Sequence, residues 1–136
     1  MPNNNLKKPA ASGVDLGDFT PEQNQALLDL LVLAMYLDGN LAQVEEARLQ
    51  QLLTAMGFET EYDRNRELDA SVTRVRRQSQ TPAAVKDCAK KLAASFTTRE
   101  HQQRVFDLLN HLTALDGNVS SEENEFLSTI KATFKF

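Results

Sequence analysis

The residues best suited to chemistry in this chain are two copies of one short string, Asp38-Gly39-Asn40 and Asp116-Gly117-Asn118. Each is followed, seven residues after its aspartate, by a glutamate, Glu45 or Glu123. Carboxylate and amide oxygens are hard donors of the kind that calcium and magnesium prefer. If the two turns meet at one end of the fold, Asp38, Asn40, Glu45, Asp116, Asn118 and Glu123 form an all-oxygen ligand set. The string is not an EF-hand loop, because that ligand register is missing and Gly39 directly follows the first aspartate. A purely local explanation stands beside the metal reading. Ser120 with Glu123 is a capping box, a first-turn carboxylate suits the helix dipole, and Gly39 and Gly117 suit helix ends. Two features go beyond it. Glu45 is kept although Ala42 cannot cap, and Asp38 and Asp116 stand at helix C-termini, where negative charge is disfavoured.

Other reactive side chains are sparse. Cys88 is the single cysteine, so an intrachain disulfide and a cysteine zinc cluster are both excluded, and a small core residue is the expectation. His101 and His111 are ten residues apart with no cysteine nearby, which gives no zinc spacing. Asp29 and Asp107 fall about half a helical turn away from the turn aspartates, and a structural partnership with a neighbouring helix is expected for both. Asp107 also precedes His111 by four, the spacing of a local pair. There is no nucleophile–base pair, no glycine-rich phosphate loop and no histidine–carboxylate cluster, so an enzyme is not expected.

The elements that must position these turns are helices. In 136 residues there are only five glycines and four prolines, with 41% apolar and 25% charged residues, the profile of one globular domain. Residues 1–18 read as a flexible arm. Thr20-Pro21-Glu22-Gln23 opens a helix that runs to about Leu37 and is apolar almost all round, which suits the centre of a bundle. Further helices are expected over about 43–56, closed by Gly57, and then 61–79, 82–95, 98–115 and 121–133. Thr81-Pro82, the box Thr97-Thr98-Arg99-Glu100 and Ser120…Glu123 open the last three. The expected architecture for 19–136 is all-α, a compact bundle of about six helices.

Within it, residues 27–58 laid over 105–136 without gaps match at ten positions of 32, including the consecutive Asp-Gly-Asn. Two helix–turn–helix hairpins that bury each other's apolar faces, flanked by linking helices over 61–95, would account for this. A long apolar helix ending in Leu37-Asp38-Gly39, with Glu45 in the next helix, and its echo Leu115-Asp116-Gly117…Glu123, resembles the signature of the tellurite-resistance TerB-like family. The resemblance covers about residues 20–136. It implies a helical bundle with an acidic patch that binds a divalent metal, and a part in stress response. It also implies partners in stress-response or membrane-associated complexes, since related domains occur attached to J-domain co-chaperones. The family pattern places Ser or Thr before the glutamate, and Ala42 departs from it, so the two halves of a site need not be equivalent.

Charge is uneven along the chain. From Arg64 to Arg104 there are ten basic side chains against four acidic, net +6, and the remainder carries −10. The cations Arg74, Arg76, Arg77, Lys86, Lys90 and Lys91 define a basic middle-helix face, either an ordinary solvated surface or a protein-docking one. No aromatic is interleaved with them and the net charge is −4, which argues against specific nucleic-acid binding. No apolar run is long enough to span a bilayer and no signal-peptide core is present, so a cytoplasmic location is expected.

Overall fold

The computed structural model describes residues 16–38, 43–114 and 121–136, and at 38, 43–46 and 112–114 the backbone alone. The described residues form six helices and no strand: α1 (Pro21–Asp38), α2 (Gln43–Ala55), α3 (Glu61–Gln78), α4 (Pro82–Ala93), α5 (Arg99–Ala114) and α6 (Ser121–Phe134). The all-α bundle expected from the sequence is the fold, and every helix lies within two residues of its expected span.

Local chemistry fixes most of these boundaries. At the start of α1, Thr20 Oγ1 accepts the Gln23 N–H (3.1 Å) and Gln23 Oε1 accepts the Thr20 N–H (3.0 Å), a reciprocal capping box. The Gln23 amide also donates to the Ser95 carbonyl (3.1 Å), which ties α1 to the α4–α5 link. Thr81 caps α4 by accepting the Ala84 N–H, with Pro82 in the first turn. The start of α5 differs from expectation by one residue. Thr98, not Thr97, is the cap, accepting the His101 N–H at 3.2 Å. Glu100 instead points along the helix to Arg104 (3.6 Å). Two adjacent threonines offer two registers, and the sequence alone does not choose between them.

The helix ends carry the repeat into backbone geometry. Gly57 has φ +109°, its N–H bonds the Thr54 carbonyl, and the Phe58 N–H reaches Leu53. Exactly 78 residues later Lys135, at φ +60°, bonds Ala132, and Phe136 reaches Lys131. Both are Schellman closures, but the second places a lysine in the left-handed region that favours glycine. Lys135→Gly is therefore expected to stabilise the fold by about 0.5–1 kcal/mol, and Gly57→Ala to destabilise it by at least about 1 kcal/mol. Urea midpoints of the two variants check both signs.

The core is organised around α1. Every residue from Ala26 to Met35 is buried, Asp29 included. No single face could do that; α1 is enclosed by α3, α4, α5 and α6, with α2 covering part of it. The hairpin made by α1 and α2 meets the α5–α6 hairpin chiefly through α1, while α2 packs on α1 and α3. Residues 16–18, read from the sequence as part of an arm, are anchored to the bundle, Leu16 by burial and Asp18 by its side-chain bonds to α5. Leu16 and Phe19 belong to the core, and the Phe19 ring meets Phe96 (centroids 5.5 Å) and His101 (4.6 Å). The glycine at 17 hides this attachment from a pattern-based reading.

Candidate functional site

The acidic repeat maps to helix ends. Asp38 is the last residue of α1, and Glu45 and Glu123 each occupy the third position of their helices, α2 and α6. The side chains of Asp38 and Glu45, and the whole of Asn40, Asp116 and Asn118, lie outside the described residues. Of the six expected ligands, only the Glu123 side chain is therefore placed. It is 2% exposed, a rare state for a carboxylate, and it is engaged by neighbours within the fold. Its position in the first turn of α6 puts the helix dipole in its favour. Among the described residues, no group of three or more His, Cys, Asp and Glu side chains stands together as a metal site.

The described residues do bring the two ends of the repeat together. A groove of about 460 Å³ is lined by Tyr36 and Leu37 from the end of α1 and by Glu122, Glu125 and Phe126 from the start of α6. The α3–α4 link and α4 complete it through Thr81, Val85 and Lys86. The chain thus leaves α1 toward the first acidic turn beside the point where it enters α6 from the second.

The basic face divides in two. Arg76 and Arg77 on α3 and Lys86, Lys90 and Lys91 on α4 are exposed, as a docking or solvated surface requires. Arg74 is not simply one of them. Its Nε and Nη2 donate to the two oxygens of Asp29 (3.0 and 2.9 Å), and the Ser71 hydroxyl donates to the same carboxylate (2.5 Å). Asp29 is 4% exposed, so this bidentate pair crosses from the centre of α1 to α3 and raises the Arg74 pKa. The expected neighbouring-helix partnership holds for Asp29. It does not hold for Asp107, which is exposed and accepts the Gln103 amide one turn back in its own helix (3.0 Å).

Sequence reasoning missed a third cluster. Asp18 takes Arg104 Nη1 at 2.7 Å and His101 Nε2 at 2.8 Å, and the Arg104 guanidinium covers the Phe19 ring. Separations of 83 and 86 residues left no local signal for it. The Arg104 and His101 hydrogen bonds hold the Asp18 carboxyl at about 2, below its ordinary 3.8. A depressed carboxyl pKa stabilises the fold above the unfolded-state value and loses that contribution as pH falls from near 3.8 toward 2. Asp18→Asn should therefore lower the melting temperature at pH 6, by an amount that shrinks as pH falls toward and below 2. The shift should be small, because half of the Asp18 side chain is in water. Cys88 is buried, and desolvation together with the Asp29 charge pushes its thiol pKa up, the opposite of an activated nucleophile.

A central apolar helix enclosed by five others defines an all-α helical bundle. The family model described as tellurite resistance protein TerB matches residues 24–136, and the chain belongs to that family. No curated protein and no solved structure matches it. Among the described residues, no helix is long and apolar enough to cross a membrane.

Proposed function

We propose that the chain is a non-enzymatic, cytoplasmic module of stress (tellurite) resistance that holds one divalent cation, calcium or magnesium, between its two acidic turns. The observation that carries this reading is the meeting of the α1 end and the α6 start around one groove, with Glu123 buried in the first turn of α6. Asp38, Asn40, Glu45, Asp116, Asn118 and Glu123 would supply the oxygens, and the donor chemistry fits a hard cation. The bound ion would supply a fixed positive charge that joins the two hairpins. Calorimetric titration of chelator-treated protein with calcium and then magnesium tests it. About one ion should bind per chain, and binding should vanish in Asp38→Asn with Asp116→Asn. No heat at millimolar metal would reduce the turns to caps.

A metal-independent adaptor is the second reading, favoured by the exposure of Arg76, Arg77, Lys86, Lys90 and Lys91 on adjoining helices. Association with an acidic protein partner that survives chelator, and is lost in Arg76→Glu with Arg77→Glu, would replace the first.

A further inference from the structure

The groove between α4 and α6 has an apolar floor that neither the cation nor the basic face uses. Its floor is apolar, with buried Ala89 and Phe126 beside half-buried Val85, and Ala83 adds a small side chain at the α4 start. Small residues on a helix let a second helix approach closely. Its volume, about 460 Å³, holds a few side chains rather than one.

The rim is charged asymmetrically. Glu122 and Glu125 stand three apart on α6, both exposed, so they share one wall, and Lys86 stands on the opposite wall. Glu122 has one weak local contact, the Ser121 hydroxyl at 3.3 Å. Tyr36, 49% exposed, adds an aromatic side chain to the lining. Two glutamates against one lysine leave the charged lining of the groove net negative.

We propose that this groove is the docking site for an amphipathic helix of a protein partner. The apolar ridge of that helix would enter between α4 and α6, and lysine or arginine residues three or four apart would meet Glu122 and Glu125. Charge complementarity chooses a basic occupant, and the i,i+3 spacing of the two glutamates matches the repeat of a facing helix. The inference needs no bound cation and is independent of that reading.

The test is carried out in chelator, with the full, isotope-labelled chain and a synthetic helical peptide that has leucine and alanine on one face and lysines three and four apart on the other. Amide shifts should concentrate at residues 79–89 and 122–129. Glu122→Lys with Glu125→Lys should weaken binding about tenfold or more, and Lys86→Glu should tighten it several-fold. Ala83→Trp, a substitution at an exposed position, should block the groove without changing the melting temperature. A peptide of the same composition, permuted to destroy the helical repeat, should bind about tenfold more weakly. Equal binding of the permuted peptide, shifts spread away from the groove, no binding at millimolar peptide, or sedimentation showing a second copy of the chain seated there would each overturn the proposal.

Discussion

Arg74→Met is expected to cost the fold about 3 kcal/mol and to lower the melting temperature by roughly 10 °C. The Asp29 carboxylate sits in the middle of the enclosed helix, and Arg74 supplies two of its hydrogen bonds. With the guanidinium gone, the Ser71 hydroxyl alone remains on a charge that water scarcely reaches. Breaking a buried pair from one side leaves an uncompensated ion, the costly case, whereas removing the whole network does not. Asp29→Leu, Ser71→Ala and Arg74→Met together should therefore recover to within about 1 kcal/mol of the parent. Urea unfolding of the single and triple variants measures the difference. A single variant as stable as the parent would show that Arg74 belongs wholly to the outer basic face.

Leu31→Ala is expected to cost about 3–5 kcal/mol, because Leu31 is fully buried on a helix surrounded on all sides and the cavity has no exposed edge to collapse from. Leu109, its counterpart in the second repeat, is as deeply buried and should cost a similar amount. Another matched pair of leucines separates. Leu49 is fully buried and Leu127 is only half-buried, so Leu49→Ala should cost about 3 kcal/mol and Leu127→Ala about 1. Equal costs at Leu49 and Leu127 would mean that the two hairpins pack alike.

That contrast marks how far the sequence reaches. Helix positions follow from local signals, such as the Thr20–Gln23 box and Thr81-Pro82, which act within four residues and so are visible in a string. The central place of α1 follows from its all-round apolar character. The repeat is legible too, as identical residues, while its second Schellman closure, at Lys135, is seen only in the backbone, and identical residues at matched positions occupy different surroundings. Asp29 pairs with Arg74 while Asp107 stays in water, because α3 covers one and nothing comparable covers the other. The cations Arg74, Arg76, Arg77, Lys86, Lys90 and Lys91 read as a single basic face, and Arg104 as one more charge in a basic segment. Only tertiary contact shows that Arg74 and Arg104 are committed to Asp29 and Asp18. The groove was not legible at all, since its walls come from three separate stretches of chain.

The burial of α1 on every side also bears on how the chain is made. During synthesis the most apolar helix leaves the ribosome before the segments that sheathe it, and α5 and α6 follow α2 to α4. Its contacts with α6 close loops of about ninety residues, a slow class of event. Until then Leu27 to Met35 have no complete shelter, and a nascent chain stopped before α5 presents a sticky rod in place of a core. Ribosome-bound fragments ending near residue 95 should therefore be far more prone to aggregation than the finished protein. This is a burden created by chain order, one that a circular permutant beginning at α5 would relieve.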